Sequence, residues 1–140
     1  MNKKVYNKCQ DLSVLLVEDY LPLQKKITLF LQNYFKKVEV ASNGREGVEK
    51  YLDFKKKHGT SYDIVISDYE MPKMNGIEMI KEIKDDTNDQ LFIVISAHQE
   101  PEYLIEFINL GILHYIPKPI EPHTILNVLD KVSDVIFAKM

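Results

Sequence analysis

Short apolar runs alternate along this chain with stretches in which apolar residues recur every three or four positions, the pattern of repeated strand-helix units and a parallel sheet. The runs are Val14-Leu15-Leu16-Val17, Lys37 to Ala41, Tyr62-Asp63-Ile64-Val65-Ile66-Ser67, Leu91-Phe92-Ile93-Val94-Ile95 and Ile112-Leu113-His114-Tyr115-Ile116-Pro117. The intervening spacing predicts five helices. Tyr20 to Tyr34 repeats Leu23, Ile27, Phe30, Leu31 and Tyr34, with Pro22 tolerated in a first turn. Asn43 is placed to cap a helix running from Gly44 toward His58, with Val48, Tyr51 and Leu52 inward and Gly59 as its stop. Ile77, Ile80 and Ile83 mark a third helix from Gly76 that frays into the polar stretch Asp85 to Gln90. Glu100 to Leu110 makes a fourth, ended by Gly111. The fifth, from Glu121 or Pro122 to about Ala138, carries Ile125, Leu126, Leu129, Val132, Val135 and Ile136 on a broad apolar face. Right-handed crossovers with helices on both faces of five strands give an α/β, doubly wound parallel sheet.

The strand ends carry the chemistry. The first run leads straight into Glu18-Asp19, and the third ends at Asp68 before a turn, Tyr69-Glu70-Met71-Pro72-Lys73-Met74-Asn75-Gly76, that cannot continue a strand. If those two strands are parallel neighbours, three carboxylates converge, and like charges a few Å apart repel by roughly 3 kcal/mol per pair at an effective dielectric near 20. A positive partner is required. A divalent cation, which as a hard ion prefers carboxylate oxygens, is one candidate. Lys118, after the fifth run and before Pro119, is another, and the fourth run ends in the hydroxyl of Ser96.

This ordered set, Glu18-Asp19, Asp68, Ser96 and Lys118-Pro119, with the Met71-Pro72 and Asn75-Gly76 turn, resembles the response-regulator receiver domain from about Leu12 to the last helix. The resemblance implies the flavodoxin-like strand order 2-1-3-4-5 and a chain divided into a lead-in, residues 1–11, and a receiver domain, residues 12–140. It implies a two-component switch in which Asp68 accepts a phosphoryl group from a sensor histidine kinase or phosphotransfer protein. Asp19 and Asp68 would hold Mg²⁺ through oxygens, Glu18 through water and Glu70 through its backbone carbonyl, while Lys118 and Ser96 take phosphoryl oxygens. Tyr115 falls at the position of the family's switch aromatic, and the Lys118-Pro119 bond is expected to be cis. A downstream protein, or an effector domain outside this chain, would be met through the face of the fourth helix, fifth strand and fifth helix, where Tyr103, Phe107 and Tyr115 are candidate contacts. Kinase specificity would lie on the first predicted helix and the loop after the fifth strand. Glu70 and His98, each two positions beyond a site residue, border the path of an attacking water.

Composition narrows the setting. A chain of 140 residues, 45% hydrophobic, can bury one core. Its formal charge of −3 offers no excess positive field for nucleic-acid phosphates. No apolar run approaches the ~20 residues that span a bilayer, and no apolar signal core opens the chain, so a cytoplasmic location is expected. The lone cysteine, Cys9, lies in the polar lead-in and permits no internal disulfide.

Each element taken singly has a plainer explanation. Acids at a helix start cap amides, an Asp or Ser favours a turn, and a lone lysine is usually solvated. Two rival functional classes remain. A pseudo-receiver would keep the fold as an interaction module without phosphorylation, but such modules usually lose a metal acid or the lysine. An aspartyl-nucleophile phosphatase of the haloacid-dehalogenase kind would carry Asp-x-Asp after its first strand, where this chain has Glu18-Asp19. The favoured expectation is a switch that catalyses only its own phosphorylation and dephosphorylation.

Overall fold

The computed structural model describes all residues of the chain except Pro72, Asn88, Gln99, Leu113 and Met140. Pro72 of the expected turn and Leu113 of the fifth apolar run thus lie outside the described residues. The elements run α1 (Lys3–Cys9), β1 (Ser13–Val17), α2 (Leu21–Gln32), β2 (Lys37–Ala41), α3 (Gly44–His58), β3 (Ile64–Asp68), α4 (Gly76–Asp86), β4 (Phe92–Ser96), α5 (Pro101–Asn109), β5 (His114–Pro117) and α6 (Pro122–Ala138). The strands form one sheet in the order β2-β1-β3-β4-β5, every neighbouring pair parallel. The doubly wound, flavodoxin-like architecture expected from the sequence is what the chain adopts.

Alternate side chains of the buried strands enter two separate cores. Val14, Leu16, Ile64, Ile66, Ile93, Ile95 and Ile116 pack with Ile27 and Leu31 of α2, Leu129 and Val132 of α6, and Val5 and Cys9 of α1. Leu15, Val17, Val65, Phe92 and Val94 face Val48, Tyr51 and Phe54 of α3, Ile77, Ile80 and Ile83 of α4, and Phe107 of α5. Because both faces of β1, β3 and β4 are covered, these strands read as continuous apolar runs rather than as alternating ones.

Local signals account for the boundaries. The Asn43 side chain accepts from the Glu46 backbone N–H at 2.9 Å, and Gly59 closes α3 at φ 76°, the left-handed conformation that glycine adopts without steric cost. Asn75 and Glu78 cap each other's backbone N–H groups at the start of α4. Three expectations need correction. The lead-in contains a sixth helix, α1, whose two buried positions, Val5 and Cys9, are one turn apart and dock on the face of α6. Lys8 fastens α1 by reaching Asp130 at 2.7 Å and Asp134 at 2.6 Å. On α3, Leu52 is exposed and Phe54 takes an inward place. On α5, Phe107 is buried, so the outward apolar residues are Ile105 and Ile108. Among the described residues no helix is long and apolar enough to cross a membrane.

Candidate functional site

The carboxyl ends of β1 and β3 are hydrogen-bonded neighbours, with Val17 opposite Ser67, so the residues just beyond them meet. Ligand oxygens of Glu18, Asp19 and Asp68 all lie within 4.8 Å of one another. On the far side of β3, Asp68 pairs with Ile95 and β4 ends at Ser96, whose backbone carbonyl accepts from the Lys118 N–H at 3.0 Å. That contact anchors the chain from which Lys118 extends its Nζ to Asp68 Oδ2, 3.0 Å away. The Lys118-Pro119 bond is cis, as expected. Four of the predicted site residues therefore meet directly, and Ser96 stands beside them.

The Asp68 carboxylate is held at both oxygens. Oδ2 faces Lys118, while Oδ1 accepts the Tyr69 backbone N–H at 2.9 Å, a donor shared with the Ile95 carbonyl at 2.9 Å. The chain then turns sharply back, with the Gly76 N–H donating to the Tyr69 carbonyl at 2.9 Å. A Cβ at Gly76 would lie 2.2 Å from the Asp68 carbonyl oxygen, so this approach is open to glycine alone.

Glu18 is the electrostatic oddity. Its carboxylate is fully buried; Oε2 accepts from the Tyr20 N–H at 3.1 Å, whereas Oε1 is buried without a hydrogen-bond partner. Burial, reinforced by the neighbouring carboxylates of Asp68 and Asp19, pushes its pKa up to about 7. Three clustered acids with one unpaired buried oxygen fit a hard divalent cation, whose preferred ligands are carboxylate oxygens. Glu70 does not join this cluster through its side chain. Its exposed carboxylate instead lies 2.6 Å from His98 Nε2.

Ser96 is buried, and its Oγ accepts the His98 N–H at 2.9 Å. Tyr115 is half-buried, with its ring 6.4 Å from that of Phe107. A recess of about 280 Å³ opens over Asp68, bordered by Asp19, Tyr69, Glu70, His98 and Lys118. Of the recess residues without an expected role, Tyr69 makes contacts beyond the recess. Its phenol donates to Glu106 Oε1 at 3.2 Å, and burial, reinforced by that carboxylate, raises its pKa to about 12, which keeps it a donor. The available signal was position: an aromatic directly after the acid that ends a strand.

The comparisons agree with this geometry. Residues 14–130 match the family model described as response regulator receiver domain. The chemotaxis protein CheY of Thermotoga maritima is 46% identical over 94 residues, covering 66% of this chain and 72% of that protein. CheY of Bacillus subtilis is 34% identical over 119 residues, covering 84% and 94% respectively. Among solved structures, the CheX-CheY-BeF3-Mg+2 complex from Borrelia burgdorferi superposes with a TM-score of 0.79 at 27% identity, covering 91% of this chain and 92% of that one. A parallel five-stranded sheet with carboxylates gathered at its carboxyl edge defines the class, and the chain belongs to the response-regulator receiver domains.

Proposed function

We propose that this receiver domain is a phosphorylation-driven switch in which Asp68 is the phosphoacceptor. The observation that carries the reading is the cluster of Glu18, Asp19 and Asp68 with Lys118 Nζ 3.0 Å from Asp68. The phosphoryl donor is a sensor histidine kinase or phosphotransfer protein. One Asp68 oxygen forms a bond to phosphorus as the bond from phosphorus to the donor's imidazole nitrogen breaks, and the freed electron pair stays on that nitrogen. Asp19, Asp68, Glu18 and the Glu70 backbone carbonyl would hold Mg²⁺, which would supply the charge neutralisation that phosphoryl transfer needs.

The chain's own groups do the rest. Lys118 pairs with a second phosphoryl oxygen, and the Tyr69 N–H keeps the carboxylate oriented for attack. Ser96 can donate its hydroxyl proton to a third oxygen by giving up its long donation to the His98 carbonyl at 3.4 Å, so occupancy of Asp68 competes with the resting arrangement of the loop after β4. Glu70 and His98, joined across the recess, border the path of a hydrolytic water.

A groove of about 360 Å³ between α2 and the segment after β5, lined by Leu23, Ile27, Phe30, Pro119, Ile120 and Ile125, supports kinase or phosphotransfer docking there. Output runs through the face of α5, β5 and α6, where Ile105 and Ile108 are exposed and Tyr115 is half-buried. In this reading the domain works in the cytoplasm and contacts proteins rather than nucleic acid or membrane. It turns over no substrate besides its own phosphoryl group.

Incubation with acetyl phosphate and Mg²⁺, followed by intact-mass measurement of the wild type and Asp68→Ala, tests the reading. A single labile phosphoryl adduct that needs Mg²⁺ and is missing from the variant is expected. A folded wild type that takes up no phosphoryl group would favour the pseudo-receiver alternative.

A further inference from the structure

Tyr69 touches the reacting carboxylate with its backbone and α5 with its side chain. Its N–H is shared between Asp68 Oδ1 and the Ile95 carbonyl, each at 2.9 Å, and its own carbonyl is taken by the Gly76 N–H at 2.9 Å. The residue is thereby pinned at once to the acceptor, to β4 and to the start of α4. Its ring meets Tyr103 at 5.3 Å and Phe107 at 5.6 Å, both edge-on, and its phenol donates to Glu106. Tyr103, Glu106 and Phe107 sit at three-to-four spacing on one face of α5, so the phenol and two of the ring's aromatic contacts go to that helix.

The hydroxyl side of the site reaches the same place. His98, whose N–H donates to Ser96 Oγ, stacks on Tyr103 with ring centroids 4.3 Å apart and planes at 17°, and its ring lies edge-on to Tyr69 at 5.6 Å. Two strand ends, one bearing the carboxylate and one the hydroxyl, converge on Tyr103.

From this arrangement we propose that Tyr69 is the positioning residue through which the state of Asp68 is passed directly to α5, a route separate from any turning of Tyr115. The inference rests on Asp68 being the phosphoacceptor. An acyl phosphate no longer offers Oδ1 as a free carboxylate oxygen to the Tyr69 N–H, and it adds bulk and charge within reach of that donor. Since the Tyr69 backbone is fixed on three sides, any shift there moves a ring held edge-on by two α5 side chains. A packed contact of this kind changes between discrete arrangements rather than deforming smoothly.

The test compares hydrogen exchange of the α5 amides in the unphosphorylated and phosphorylated wild type, Tyr69→Ala, Tyr69→Phe and Tyr103→Ala, with phosphoryl occupancy read by intact mass and rates compared at equal occupancy. The wild type should show a ratio between states of about fivefold or more, the lower range of allosteric couplings. Tyr69→Ala and Tyr103→Ala should bring the ratio close to one, and Tyr69→Phe, which keeps the ring contacts, should retain most of it. A purely structural role for the ring would raise exchange equally in both states and leave the ratio intact, and that result would overturn the relay. A phosphorylated wild type with no change in α5 exchange would overturn it too. A wild type that forms no adduct would overturn the phosphoacceptor reading, and the relay with it.

Discussion

Replacing Asp19 with asparagine should stabilise the metal-free protein while weakening its response to Mg²⁺. The ligand oxygens of Glu18, Asp19 and Asp68 lie within 4.8 Å of one another, and a fully charged pair at that distance repels by roughly 3 kcal/mol at an effective dielectric near 20. Asp19 faces two such partners but is partly exposed to water, which screens it, and Asp68 is already offset by Lys118. The net relief is therefore about 1–3 kcal/mol, a rise in Tm of about 3–10 °C for a domain of this size. The assay is thermal unfolding in EDTA at pH 8, where Glu18, with its pKa of about 7, is ionised, and then in saturating Mg²⁺. Mg²⁺ at a hundred times its Kd adds about 2.7 kcal/mol to the wild type, and the Asp19→Asn variant should recover only a fraction of that. Equal melting temperatures in EDTA together with equal Mg²⁺ shifts would refute the claim that these three carboxylates form one repulsive, cation-compensated cluster.

Gly76→Ala should cost roughly 1–3 kcal/mol or more and slow phosphorylation, because its Cβ would meet the Asp68 carbonyl at 2.2 Å; urea unfolding and adduct formation check the two effects separately. Val5→Ala, in α1, should lower stability by roughly 1–3 kcal/mol, and an unchanged urea midpoint would mean that α1 contributes nothing to the fold. Burial, aided by Lys131, holds the pKa of His114 below 6.5. The unfolded chain binds that proton more readily, so stability should fall as pH drops below 6.5 toward the folded value. His114→Gln should flatten the slope in that window, and an identical slope would remove His114 as its source.

The sheet was legible because β1, β3 and β4 are buried on both faces, so each had to be an apolar run ended by something polar. Helix limits followed from side chains with local jobs, such as Asn43 capping α3 and the left-handed Gly59 closing it. What escaped depends on contacts distant in sequence. Nothing in Lys3–Cys9 shows that Val5 and Cys9 will find α6, or that Lys8 will reach residues more than 120 positions away. Leu52 and Phe54 were exchanged because a helix of moderate amphipathicity leaves its inward face uncertain by a fraction of a turn. At the site, the carboxylates and Lys118 were readable from their places at strand ends. The pairing of Glu70 with His98 and the seat of Tyr69 on α5 were not, since each joins two loops or elements whose relative placement only the folded chain specifies.

Departures from ordinary local rules gather at one edge of this molecule. Lys73 holds a positive φ of 68° although it is not glycine, Gly76 stands where no other residue fits, and Glu18 buries a carboxylate oxygen without a partner. Lys73 and Gly76 lie in the turn after β3, Gly76 against the Asp68 carbonyl, and Glu18 stands directly after β1 in the cluster with Asp68. At the opposite, amino-terminal edge, Asp63 accepts from both the N–H and Oγ of Ser13, and the buried Gln90 still leaves one oxygen unpaired. The difference lies in charge. An unpaired amide oxygen costs part of a hydrogen bond, whereas a buried carboxylate beside two others costs several times more unless a cation or a proton offsets it. A fold that needed only stability would gain by replacing Glu18 with an apolar residue. That it instead carries the strain at the carboxyl edge of β1, beside the order reversal where open α/β sheets bind ligands, supports the proposed role of this edge as a site for a cation and a phosphoryl group.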